Sequence, residues 1–219
     1  MRFTSKVCTV VALAGAALGP VATPAVAAPV TCSAAALKRA IERVNTAGGT
    51  LDLQAGCVYR LVNADNGANG LPVIRADVTV NGNGATIERA AYASAFRIFQ
   101  VKHGGKLTLN RVTLRNGRVD GANGGAVLVD SGGALTLQDS VITGSSAAKG
   151  GAVYTQGSIS VRNSQIVGNT ATEVGNSIGT GSSAAVIVSN STVADQEGPS
   201  VDLGNTVEMG DLFDGDGFL

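Results

Sequence analysis

Five charged residues are the first candidates for chemistry in this chain. Arg115, Arg118 and Asp120 fall in one stretch, and Lys149 and Glu173 take the corresponding place in the two repeats that follow. Arginine forks pair with carboxylates through two parallel hydrogen bonds, so the set predicts a groove for an anionic sugar chain. A solvated loop edge would use the same residue types. Asp211, Asp214 and Asp216 bring three carboxylates and two glycines into one acidic string, and alternating oxygen ligands on a flexible loop are what calcium takes. The string lacks the loop spacing and terminal glutamate of an EF-hand, and an acidic tail has the same composition. No other cofactor is expected. Cys32 and Cys57 with a lone His103 do not make a zinc set, and in an exported chain an even pair predicts a disulfide. His103 precedes Gly104-Gly105, has no acid or base beside it, and is expected to face solvent in a turn.

What positions these residues is a repeat. Gly124-Gly125-Ala126-Val127 is followed by Leu135-Thr136-Leu137 and Val141-Ile142; Gly150-Gly151-Ala152-Val153 is followed by Ile159-Ser160-Val161 and Ile166-Val167. The apolar pieces alternate with period two and are too short for helices. An apolar–polar–apolar mark recurs at Leu51, Val78, Leu107, Leu135, Ile159 and Val186, at spacings of 27, 29, 28, 24 and 27 residues. A strand–turn unit of this length buries its apolar face only by stacking on its neighbours. The spacing therefore predicts a parallel β-helix of six to seven rungs over 51–205. Four positions past the last five marks stand Gly82, Arg111, Asp139, Asn163 and Asn190, expected in tight turns with positive φ. Arg111 and Asp139 share that column and are expected to form a surface ion pair. Ser140, Ser164 and Ser191, then Leu114, Ile142, Ile166 and Val193, are expected as interior columns. Thr79, Thr108, Thr136 and Ser160 point outward in one rank, as exposed strand residues do.

Thr31 to Asn45 is the one helical stretch, with Ser33 as its cap and Leu37, Ala40, Ile41 and Val44 on one face. Placed ahead of the strands over 28–50, it is expected to cover the open edge of the first rung, pinned by the Cys32–Cys57 bond. Residues 1–27 carry Arg2 and Lys6, an apolar run over Val7 to Leu18, and Ala25-Val26-Ala27. That is the pattern of a secretory leader cut after Ala27, and the run is too short to span a membrane. The reading is a secreted, extracellular monomer with no membrane span in the mature chain.

Charge is strongly divided. From residue 28 to Arg162 there are 14 basic and eight acidic residues; beyond Arg162 there are eight acidic and none basic. Residues 206–219 form an acidic tail. The few aromatics do not interleave with the basic residues, which argues against reading nucleic-acid bases.

The Gly-Gly-Ala-Val copies and Ile166-Val167-Gly168-Asn169 resemble the GGA-[ILV] and F-x-x-N repeats of polymorphic outer-membrane proteins. Cys32-Ser33, Leu37, Ala40-Ile41, then Gly82-Asn83-Gly84-Ala85-Thr86-Ile87-Glu88-Arg89 and Leu107-Thr108-Leu109, are similar to small secreted bacterial right-handed β-helix repeat proteins of the pectin-lyase-like superfamily. The resemblance implies an all-β, right-handed parallel β-helix with an N-terminal capping helix. It also implies a choice of functions, since that fold carries lyases, glycosidases and adhesins. Lyases of that kind use carboxylates on neighbouring rungs to hold calcium, with an arginine base; the hydrolases use N-T-D, D-D and G-H-G motifs. The chain has none of these motifs. The expectation is therefore a non-catalytic protein binding extracellular glycan or another surface, with a polysaccharide lyase or glycoside hydrolase, or a structural cell-envelope component, as the alternatives.

Overall fold

The computed structural model describes residues 28–194. Residues 1–27, expected as a leader, the last part of the expected rung span (195–205), and the acidic stretch 206–219 with Asp211, Asp214 and Asp216 lie outside the described residues. The helix forms at Ala34–Val44, where Ser33 Oγ accepts from Ala36 N at 3.1 Å and Leu37, Ala40 and Ile41 are buried against the first rung. Gly48 ends it at a φ of 83°, a conformation open to glycine. Cys32 and Cys57 are bonded, with Cα atoms 5.7 Å apart, so the cap is tied to the first strand unit as expected.

The strands wind into a four-sided parallel solenoid. Face A stacks Gly49–Asp52, the first half of Asp77–Arg89, the first half of Lys106–Arg115, Ala134–Gln138, Ser158–Arg162 and Ala185–Ser189. Face B stacks Val58–Leu61, the second halves of the two long strands, Val141–Thr143, Gln165–Val167 and Thr192–Val193. Face C pairs Ser146–Lys149 with Thr170–Val174, and face D stacks Phe99–Val101, Val127–Val129, Val153–Thr155 and Ile178–Thr180. Among the described residues this is about five turns, against the six to seven rungs expected over 51–205.

Val78, Leu107, Leu135, Ile159 and Val186 share one column, as their spacing predicts. Leu51 does not: it pairs with Val80, and Gly49 stands opposite Val78. The helix cap feeds the first strand in two residues out of phase, and alternation of period two hides such a slip because the inward face stays inward.

Corners carry the backbone's special conformations. Between faces A and B, Arg111, Asp139, Asn163 and Asn190 all take a φ near 50°. In the second rung the positive φ falls on Asn83 and Gly84 rather than Gly82, because two extra residues bulge between Asn81 and Ala85. Between faces C and D the Gly-Gly pairs divide the work. Gly124, Gly150 and Gly175 take positive φ, whereas a Cβ on Gly125 or Gly151 would overlap carbonyl oxygens of the next rung. In the third copy the second position is Asn176, whose Oδ1 accepts from Ala171 N.

Inside the A–B corner a serine ladder settles the buried polar groups. Ser140, Ser164 and Ser191 each donate to the carbonyl two residues back, and each accepts the backbone N–H of the preceding rung, from Val112, Ser140 and Ser164. A hydroxyl suits the place because it is donor and acceptor at once. Ser140→Ala is expected to cost about 1–2 kcal/mol by stripping the buried Val112 N–H of its acceptor. Urea unfolding checks this, with Ser191→Ala, at the half-buried end of the ladder, as the milder comparison. Asn169 does the same at the B–C corner, accepting from Ser145 N and donating to the Ile142 and Val167 carbonyls.

Candidate functional site

The stretch from Gly117 to Asn123 runs along face C as an edge laced to the next rung. Val119 N donates to Ser146 O, Ser146 N to Gly117 O, and Gly124 N to Lys149 O. Gly117 has no alternative, since a Cβ there would overlap the Gly125 carbonyl oxygen. Two buried arginines of the preceding rung hold the ends of this edge. Arg89 donates to Asn116 O at 2.8 Å and to the carbonyls of Ala90 and Ala93; Arg97 donates to Asn123 O at 3.1 Å, Gly124 O and Asn69 Oδ1. Burial lowers the pKa of both guanidinium groups without bringing them near neutrality. Neither was singled out from the sequence. The signal was there in the period, for Arg89 precedes Asn116, and Arg97 precedes Gly124, by 27 residues.

On this rigid edge Arg118 Nε meets Asp120 Oδ1 at 2.8 Å, and Lys149 Nζ meets Glu173 Oε2 at 3.5 Å. A groove of about 280 Å³ opens beside the first pair, lined by Arg118, Asp120, Gly121, Ser146, Ala148 and Thr172. Four of the five candidate residues therefore form two exposed ion pairs, and of these only Arg118 and Asp120 line the groove.

Arg115 does not join them. Asn116, at a φ of 61°, turns the chain between faces, and Arg115 stays on face B. There Glu88 takes Arg60 Nε at 2.7 Å on one oxygen and Arg115 on the other, by its Nε at 3.0 Å and its Nη2. The pairing follows from register, since Arg60, Glu88 and Arg115 stand in one column. Burial pushes the Glu88 carboxyl up, but hydrogen bonds from Arg115 and Arg60 outweigh it and hold it below the usual carboxylate range.

Other sequence expectations resolve locally. Arg111 turns away from Asp139 and donates to Asn83 Oδ1, so the expected ion pair does not form; the asparagine that bulges into the previous corner offers the nearer acceptor. His103 lies with Nδ1 3.2 Å from Ser131 O across one rung, so it is exposed and yet has a neighbour. The hydroxyl rank is in register as Thr50, Thr79, Thr108, Thr136 and Ser160, but from Thr79 on it is half-buried rather than exposed, and Ser160 Oγ is covered. A shallower groove of about 460 Å³, missed by sequence reasoning, follows the corner between faces D and A over Gly132, Gly133, Gly157, Ser158 and Ser183, with Lys106 as its charged residue. Among the described residues no three of His, Cys, Asp and Glu converge on a common point, and no helix is long and apolar enough to cross a membrane.

Residues 97–209 match the family described as right handed beta helix region. No curated protein and no solved structure matches the chain.

Proposed function

The chain belongs to the right-handed β-helix family, and on that premise we propose that it is a secreted, non-catalytic repeat protein that binds an extracellular glycan along the Arg118–Asp120 edge. The groove on that edge carries the reading: exposed charged donors and acceptors stand on a backbone anchored at both ends by Arg89 and Arg97. A rigid polar edge binds a sugar chain with little ordering cost of its own. Arg118 supplies the fork for a sugar carboxylate, and Asp120 and Ser146 supply partners for hydroxyl groups.

The carboxylates weigh against hydrolysis as the leading alternative. A glycosidase needs two carboxyl groups across the scissile bond, one with a raised pKa so that it can give a proton. Glu88, the buried one, is held in the opposite direction by two arginines, and Asp120 and Glu173 are each paired with a cation.

The test sets the purified chain against a panel of acidic and neutral polysaccharides, with and without calcium, recording retention and new chain ends together. Retention without cleavage is expected. Arg118→Ala should weaken it about tenfold, the loss of one charged hydrogen bond. Retention indifferent to Arg118→Ala would move binding off this edge, with the corner groove near Lys106 next in line. New chain ends would overturn the non-catalytic reading, and no retention at all would leave a structural role in the cell envelope.

A further inference from the structure

Face B carries an exposed patch that the glycan edge does not use. Val58 on this face, and Val62 and Tyr92 just past the ends of its strands, are 43, 40 and 80% exposed, near the two arginines that share Glu88. One carboxylate for two guanidinium groups leaves the patch net positive. Arg60 is pinned through Nε, its side chain is 58% exposed, and Tyr92 follows three residues after Arg89, which pairs with Leu61 next to Arg60. Arginine, tyrosine and exposed aliphatic groups together are the composition of an interaction anchor.

The described chain ends on this same face. Its last strand, Thr192–Val193, is three steps of pairing from Arg115 and five from Arg60, or about 14 and 24 Å at the strand spacing. Beyond it in the sequence lie residues 206–219, with Glu208, Asp211, Asp214 and Asp216, no basic residue, and Leu212, Phe213 and Phe218 among them. Fourteen extended residues reach up to about 46 Å, well past the patch. The charge is complementary, and so is the apolar content.

We propose that the acidic segment 206–219 returns along face B of its own chain, setting its carboxylates on Arg60 and Arg115 and an apolar side chain against Tyr92 and the valines. Tethering makes this encounter intramolecular, with an effective concentration in the millimolar range, so weak contacts suffice. The docking is a device of this chain alone and stands or falls apart from the glycan edge on face C.

Tyr92 reports on it directly. The full chain and its Asp211→Asn/Asp214→Asn/Asp216→Asn variant are treated with a tyrosine-nitrating reagent at low salt, and each tyrosine is quantified by peptide mass spectrometry. Tyr59, fully buried, is the internal control for folding. Tyr92 is expected to react about tenfold faster in the variant, the equivalent of about 1.4 kcal/mol of docking. The difference should close near 1 M salt, where exposed charges are screened. Equal Tyr92 rates in the two chains at low salt would overturn the proposal. Protection that rises with protein concentration alongside a sedimenting dimer would place the segment on a second copy and overturn the intramolecular form. Protection found only with calcium would assign the aspartates to a metal and overturn their pairing with the arginines.

Discussion

Reducing the Cys32–Cys57 bond is expected to lower the unfolding free energy by about 3.5 kcal/mol, the loop-closure value for its separation of 25 residues. The bond ties a short capping helix to the first strand unit. The helix itself has only three buried side chains to hold it, and eleven residues are too few to be stable as an isolated helix. Releasing it also uncovers the upper edge of face A, which is otherwise a template for pairing with other chains. Chemical denaturation with and without reductant measures the change, and Cys32→Ser/Cys57→Ser should reproduce it. Hydrogen exchange should then show protection lost first in Ala34–Val44 and Gly49–Asp52. A reduced protein with an unchanged midpoint would mean that packing of Leu37 and Ile41 alone holds the cap.

Glu88→Gln is expected to cost about 2–3 kcal/mol, somewhat below the value for breaking a fully buried ion pair. The carboxylate is only 5% exposed but its arginines are 58 and 46% exposed, so water compensates part of their loss. The amide keeps the volume, and Arg60 and Arg115 are left to repel one another across it. The same residue sets an acid limb of stability. Its folded pKa lies below the ordinary 4.5, so its contribution is complete above that pH and is lost as pH falls through the lowered folded value. Stability of the wild type should therefore decline on the acid side of 4.5, and Glu88→Gln should flatten that part of the profile while lowering the plateau at neutral pH. Parallel acid limbs in the two proteins would show that Glu88 is not what titrates there.

The sequence by itself determined the solenoid. Five apolar–polar–apolar marks stand in one column as their spacing requires, because inward positions in stacked strands must repeat with the rung. It determined the cap, since Ser33 and an apolar helical face permit little else, and it pointed to the disulfide, since a leader cut after Ala27 would leave Cys32 and Cys57 as an even pair. The positive-φ turns at Arg111, Asp139, Asn163 and Asn190 and the interior serine column were legible too, because each residue type there answers a local demand of backbone conformation or buried hydrogen bonding.

Register across rungs was decided only in three dimensions. The slip at Leu51 and the bulge at Asn83 leave local alternation untouched, so nothing in their own neighbourhood marks them. The site depended most on this. Arg115 stands three residues from Arg118 in sequence, yet the turn at Asn116 sends the two to different faces, where Arg115 meets Glu88 from the previous rung. Arg89 and Arg97, which brace the edge, look in sequence like ordinary surface arginines. They become structural because backbone carbonyls of the following rung come within reach of their guanidinium groups, and a buried cation must be satisfied by whatever acceptors the fold brings to it. Local chemistry specifies which turn a residue makes; the winding of the chain specifies which residue, a full rung away, it will meet.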